Sequence, residues 1–441
     1  MDYFSLNKKA PNTSFEEAVV KGLAPDKGLY FPETITPLSK EFIENIENYS
    51  NNEIAFEAIK QFVGTEIPED ELKKIIEETL CFDFPLVPVD ENISCLELYH
   101  GPTMAFKDVG ARFMARCLGY FNAKAAVQED VTVLVATSGD TGGAVASGFL
   151  GVQGVDVVIL YPRGKVSDVQ EKQLTTLGQN IRALEVEGTF DDCQAMVKKA
   201  FLDSDLTEHM KLTSANSINI ARWLPQMFYF FFAYKQLKAT LRQAQGTSSS
   251  KKLVFSVPSG NYGNICAGMM AQRLGLPIEH FITGTNANKV VPTYLQTGKY
   301  EPKPSVQTIS NAMDVGAPSN FIRIEEIHNN DLEALRKNLS GYSYTDKETT
   351  AALGHLLKSC KYVAEPHGAI GYLALKNYLK TNNDVQGIFL ETAHPVKFLD
   401  VLYPGVAETI EIPAQIQAVI NLKKVASQIS EYDELKAFLK A

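Results

Sequence analysis

Apolar positions along this chain follow two rhythms, one helical and one strand-like, and the change of rhythm divides it. Up to about residue 80 the pattern is helical. Ser14 and Glu17 have capping-box spacing ahead of Ala18-Val19-Val20, and Gly22 can close that helix. The stretch 28–32 (GLYFP) reads as extended, and helical patterns follow at 40–49 and 53–63. Pro68 opens another over 69–80, with acids in its first turn. Beyond about residue 83, short apolar runs alternate with helical stretches. VTVLVAT at 131–137 is β-branched and continuously apolar, which predicts a buried strand. A small-residue helix (144–150), a strand (155–161), a helix (166–177) and a strand (181–186) follow, then a helix from about Asp191 and an extended 211–214. The alternation resumes with a strand at 253–257, a helix at 265–274, a strand at 280–285 and a late strand at 387–390. Thr345 and Glu348 are spaced to cap a helix ending near Cys360. Such alternation predicts an α/β chain with open, mainly parallel sheets covered by helices on both faces.

Three stretches stand outside the alternation. Residues 218–237 are apolar nearly all round, which predicts a long buried helix kinked by Pro225. QAQGTSSSKK, at 243–252, reads as a polar, flexible surface loop. The tail from about Ala407 reads as helical packing.

Composition narrows the function. The 441 residues are 45% hydrophobic and 21% charged, ordinary for a globular protein, and the net charge of −10 argues against nucleic-acid binding. The six cysteines, Cys81, Cys95, Cys117, Cys193, Cys266 and Cys360, form no CxxC pair, so neither zinc nor a disulfide framework is expected. The first residues lack the apolar segment of a secretory signal, and the most apolar run, 227–234, is too short to span a bilayer. The expectation is a cytoplasmic protein with no metal and no membrane partner.

Candidate chemistry gathers at strand ends, where open α/β sheets bind ligands. PSGNYGN, at 258–264, lies between a strand and a helix, a setting for an anion held by backbone N–H groups. It has neither Walker nor GxGxxG spacing, so it points to a phosphate rather than a nucleotide. Ser138-Gly139-Asp140-Thr141 is a second such loop; its Asp and Thr suit a ligand or simply the cap of the next helix. Thr392 follows a buried strand and suits a ring nitrogen or a backbone group equally. Asn216, Ser217 and Arg222 open the apolar helix, where a buried guanidinium needs an internal carboxylate or an oxyanion. Lys107, between Phe106 and Asp108, sits at a loop-to-helix junction. Burial there would make its amine a nucleophile toward a carbonyl. Alone, that segment reads as an exposed lysine. His367 and His394 carry no assigned role.

The ordered set SFEEAVVKGLAPDKGLYFPE, ELYHGPTMAFKDVGARF, ATSGDTGGAVASGF, EGTFDDCQ, SANSINIARWLPQ, PSGNYGNICAGMMA and LETAHP resembles the threonine synthase family of fold-type-II, tryptophan-synthase-β-like pyridoxal-phosphate enzymes. The resemblance covers essentially the whole chain. It implies a threonine-synthase-type cap over 1–80, a catalytic region over 81–405 with a smaller subdomain at about 100–215, and a helical tail over 406–441. Lys107 would carry the cofactor as a Schiff base, beside Phe106. Gly260, Asn261, Tyr262, Gly263 and Asn264 would cradle its phosphate. Thr392 would meet its ring nitrogen, and Asp140 would lie by its 3′-hydroxyl. Ser138 and Gly139 would receive the substrate carboxylate. Thr141, Asn216, Ser217, Arg222 and Asn264 would hold the substrate phosphate.

The implied reaction converts O-phospho-L-homoserine and water to L-threonine and phosphate, the last step of threonine biosynthesis, in a monomer or homodimer. A threonine at the ring nitrogen, in place of a carboxylate, is expected not to enforce ring protonation. The alternatives are another lyase of the same fold, such as a serine or threonine dehydratase, or a non-catalytic protein that binds a phosphorylated metabolite.

Overall fold

A computed structural model describes the chain except residues 126–129, 244–250, 403, 404 and 409, and the side chains of 241–243. Most of the 243–252 loop expected from composition lies outside the described residues.

The chain folds into two compact units that it visits in turn. One comprises Met1, Phe31–Phe106 and Trp223–Ile410; the other comprises Asp2–Tyr30, Lys107–Arg222 and Glu411–Ala441. The first 80 residues are therefore shared between the two. The chain crosses from one unit to the other at Phe106–Lys107 and again at Arg222–Trp223.

The first unit is built on a six-stranded sheet in the order Leu339–Ser343, His280–Thr285, Lys252–Pro258, Val385–Glu391, Ile93–Glu97, Leu86–Asp90. All neighbours are parallel except the last pair, a hairpin that closes the edge. Strands Lys252–Pro258 and Val385–Glu391 at its centre are buried almost throughout, which is why 253–257 and 387–390 read as mainly apolar runs. Helix Pro366–Leu379 covers one face, packing Ala369, Tyr372 and Leu375 against Val254, Ile282 and Phe389.

The second unit carries a five-stranded, wholly parallel sheet: Ser427–Ile429, Ile181–Val186, Val155–Pro162, Val131–Ala136, Lys211–Ser214. The tail is thus not purely helical. Between helices Ala414–Ile420 and Tyr432–Lys440 it adds a strand to the sheet edge. Three residues are too few for a periodic signal, and the strand exists because the edge of Ile181–Val186 offers unpaired backbone groups.

The apolar stretch after residue 218 is broken rather than kinked. Helix Ile220–Trp223 gives way to a 3₁₀ turn, Leu224–Met227, before helix Phe228–Gln243 begins. Pro225 has no N–H to donate, and the ladder tightens around it. Helix Asp346–Cys360 begins with the expected reciprocal cap of Thr345 and Glu348. Pattern reading missed the hairpin Leu86–Glu97, the edge strand Leu339–Ser343 and helix Pro366–Leu379. Among the described residues no helix is long and apolar enough to cross a membrane.

In the second unit, helix Lys107–Lys124 lies so close to the turn at Arg222 that a Cβ on Gly110 would stand 2.2 Å from the Arg222 carbonyl oxygen. Backbone cannot yield there as a side-chain tip can. Gly110→Ala should cost roughly 1–3 kcal/mol of stability, read as a lowered midpoint in thermal or urea unfolding; an unchanged midpoint would show that the approach is looser than this.

Candidate active site

Each unit carries its own share of the expected site residues. In the first unit, strand Lys252–Pro258 runs into the loop Ser259–Tyr262 and then helix Gly263–Arg273. Tyr262 precedes the helix in the left-handed conformation, φ 63°. Its ring is buried, packed edge-on to Phe321, and its hydroxyl accepts a hydrogen bond from Thr283 at 3.0 Å. These contacts hold an unfavourable backbone angle in place. At Gly260 a Cβ would come within 2.8 Å of the Ala312 carbonyl oxygen. Asn261 is tied through its Oδ1 to the N–H and hydroxyl of Ser319 at 3.3 and 3.1 Å.

The loop therefore presents backbone N–H groups at the start of an 11-residue helix. Asn264 adds to this. Its Oδ1 accepts from the Tyr229 hydroxyl at 2.7 Å, while its buried Nδ2 has no hydrogen-bond partner among the described residues. A buried amide donor is rarely left unmatched, and this one suits an anion. A cofactor phosphate fits this donor set.

Thr392 follows strand Val385–Glu391 and is buried. Its carbonyl accepts the Phe106 N–H at 2.9 Å, Ala105 and Ala393 form an antiparallel bridge, and the His394 N–H reaches the Met104 carbonyl at 3.1 Å. These bonds clamp the segment just ahead of Lys107 against the end of a central strand. The Thr392 hydroxyl donates to Glu365 Oε1 at 3.4 Å.

Glu365 and Glu391 were not singled out by the sequence reading, and both are fully buried. Glu365 precedes helix Pro366–Leu379 and caps it, accepting from the N–H groups of His367 and Gly368. An acid followed by proline at the first helical position is the signal that would have found it. Burial, and then the charge of Glu365, push the Glu391 carboxyl well above the usual carboxylate range. His367 joins this cluster through Glu365, whereas His394 caps the short turn Pro395–Phe398.

In the second unit Lys107 is the first residue of helix Lys107–Lys124 and is half-buried, not exposed. Strands Val131–Ala136 and Lys211–Ser214 are parallel neighbours, so the loops at their carboxyl ends lie together. Asn216 Nδ2 donates to the Ala136 carbonyl at 3.0 Å. Gly139 has φ 134°, a conformation that favours glycine. Asp140 begins helix Asp140–Phe149 but does not cap it. The turn is closed instead by Thr137, whose hydroxyl oxygen accepts from the Gly139 and Gly142 N–H groups at 2.9 and 2.8 Å. Asp140 receives a hydrogen bond from Gln170 Nε2 at 3.0 Å. Ser138, Thr141 and Ser217 are half-buried.

Arg222 is 1% exposed. Its guanidinium donates to the Ala215 carbonyl. Burial pulls its pKa down to about 10, against the raising influence of the Asp108 carboxylate. The internal acid that a buried arginine requires is thus present.

A half-buried lysine at a helix start, a loop of backbone N–H groups ahead of a helix and a hydroxyl at a central strand end are residue types that a pyridoxal-phosphate site uses. Residues 84–387 match the family model described as pyridoxal-phosphate dependent enzyme. Residues 2–80 match a second, described as threonine synthase N terminus. A threonine synthase of Buchnera aphidicola from Acyrthosiphon pisum is 43% identical, over 100% of this chain and 99% of its own. The crystal structure of threonine synthase from Escherichia coli superposes with a TM-score of 0.90 at 38% identity, covering 100% of this chain and 99% of that one. The pyridoxal-phosphate-bound threonine synthase from Brucella melitensis superposes with a TM-score of 0.89 at 34% identity, covering 100% and 99%. The chain belongs to the threonine synthase family.

His394 yields a pH prediction. Burial, then the nearby His100, hold its pKa down at about 4 against an ordinary 6.5. The unfolded chain therefore binds a proton that the folded chain refuses, and stability falls as pH drops from about 6.5 toward 4. His394→Asn keeps an acceptor for the Val396 N–H, which His394 Nδ1 takes at 3.1 Å. The variant should lose roughly 1–2 kcal/mol less than the parent between pH 7 and pH 5, measured by unfolding at both values. Equal losses would refute the assignment.

Proposed function

We propose that this protein converts O-phospho-L-homoserine and water to L-threonine and phosphate, using pyridoxal phosphate held on Lys107. The observation that carries the reading is the anion loop Ser259–Asn264 with the unmatched Asn264 amide, in a chain of this family. When bound, the cofactor supplies an electron sink that acidifies the Cα hydrogen of an attached amino acid.

The chain's own residues do the rest. Backbone N–H groups of Gly260 to Asn264 bind the cofactor phosphate. Phe106 and Asp140 line its ring, and Thr392 takes the ring nitrogen. Ser138 and Gly139 receive the substrate carboxylate. Thr141, Asn216, Ser217, Arg222 and Asn264 hold the substrate phosphate, which leaves from Cγ, while water adds at Cβ. The Nζ of Lys107, once free, accepts the Cα proton and returns protons to the neighbouring carbons.

Arg222 suits its part because a guanidinium buried so deeply gains from a second anion beside Asp108. We propose a cytoplasmic monomer or homodimer. The six cysteines are all free thiols, as a reducing compartment keeps them.

Borohydride reduction and peptide mapping, with assays of phosphate and threonine from O-phospho-L-homoserine, test the reading. The label should fall on Lys107 and both products should form together. A label there without threonine would move the activity to another lyase of this fold. Lys107→Ala should take no label and lose ~10²–10⁴-fold or more in turnover. Arg222→Ala should raise KM about 10–100-fold, the loss of a charge-assisted contact, with cofactor absorbance retained; an unchanged KM would take Arg222 out of the substrate site.

A further inference from the structure

Between helix Val290–Thr297 and helix Phe321–Ile327 the chain has no regular element except a 3₁₀ turn, Asn311–Met313. A stretch that long inside a compact unit needs ties of its own. It packs on the loop Ser259–Tyr262. A Cβ on Gly260 would meet not only the Ala312 carbonyl oxygen at 2.8 Å but also the Met313 Cα at 2.9 Å, and the Asn320 N–H donates to the Asn261 carbonyl at 3.1 Å. The backbone of 312–313 is therefore the wall against which Gly260 sits. Whatever fixes that turn fixes the loop.

Asp314, next after the turn, ties it down. The Thr308 N–H donates to its Oδ2 at 2.9 Å, and the side-chain amides of Asn286 and Asn288 donate to its Oδ1 at 2.9 and 3.2 Å. Both amides must turn nitrogen toward Asp314, because the Asn286 oxygen accepts the Asn288 N–H at 2.9 Å and the Asn288 oxygen accepts the Val306 N–H at 2.7 Å. Asn286 and Asn288 come directly after strand His280–Thr285, whose Gly284 carbonyl also takes the Ser259 N–H at 2.9 Å. N–H donors from three residues thus converge on two oxygens, a demand that a carboxylate meets. Burial pushes the Asp314 pKa up to about 6, so the group is charged at pH 8.

We propose that Asp314 is a positioning residue for the cofactor: it draws the chain on both sides of the turn Asn311–Met313 onto the end of strand His280–Thr285, presses that turn against Gly260, and so sets the backbone N–H groups that take the cofactor phosphate. The inference rests on the proposed function, which places the phosphate at that loop. Asp314 acts at one remove, through the backbone of 312–313. A carboxamide cannot replace it, since its NH₂ would face either the Thr308 N–H or the two asparagine amides and leave a donor unmatched.

The test compares two ligands that differ in the phosphate alone. The full chain, stripped of cofactor, is titrated at pH 8 with pyridoxal phosphate and with pyridoxal, each followed by the absorbance of the bound ligand. The parent should prefer pyridoxal phosphate. Asp314→Asn should weaken pyridoxal phosphate about 10-fold and leave pyridoxal within about 2-fold of the parent. A merely structural role would weaken both ligands alike, so equal weakening, or an unchanged preference, overturns the proposal. Should Asp314→Asn not fold, Asn288→Ala decides. It removes one donor from a half-buried position and should narrow the same preference by at least about 3-fold; a preference unchanged there overturns the proposal. A parent that binds neither ligand, or both equally, overturns the functional reading of the loop and this inference with it. A parent that prefers pyridoxal phosphate, with a preference that survives both substitutions, overturns the role of Asp314 alone.

Discussion

Burial of both sheets on both faces is the constraint from which the rest follows. The central strands have no solvent side, so polar chemistry cannot sit along them without unmatched groups. It is displaced to the carboxyl ends, where helices begin and backbone N–H groups are still free to bind. Ser138–Thr141, Asn216 and Ser217, Ser259–Asn264 and Thr392 all lie at such ends.

The strand end at Glu391–Thr392 illustrates how much tension that arrangement holds. A central strand delivers an acid into a fully buried position beside a second acid that caps a helix. Ionising both acids side by side in a low-dielectric interior would be expensive. The structure accommodates it by neutralising one carboxyl and surrounding the other with donors. The same strand end clamps Met104–Phe106 by backbone pairing, so the geometry ahead of Lys107 and the electrostatics around Thr392 share one support.

Arg222 shows a similar economy in the other unit. The turn that buries it packs against the glycine face of helix Lys107–Lys124, and Asp108, one residue after the lysine, offsets its charge. A cation held this deeply is not free to wander, because its side chain has already lost its rotameric freedom.

Periodicity and local chemistry were enough to reveal the alternating α/β architecture, the parallel sheets, the reciprocal cap at Thr345 and Glu348, and the strand-to-helix loop at 258–264. These are legible because burial on two faces, helix capping and close backbone approach each demand particular residue types at short spacing. The ordered motifs carried the family and, with it, the expected roles of Lys107 and its companions. What residue patterns could not reveal depends on distance between segments far apart in the chain. The tail strand Ser427–Ile429 exists only because an open sheet edge receives it. The antiparallel hairpin, the break at Pro225 into three helical pieces, and Thr137 rather than Asp140 closing its turn are equally tertiary outcomes. So is the pairing of Glu365 with Glu391. A buried acid and a surface acid are the same letter, and only packing decides which carboxyl loses its water.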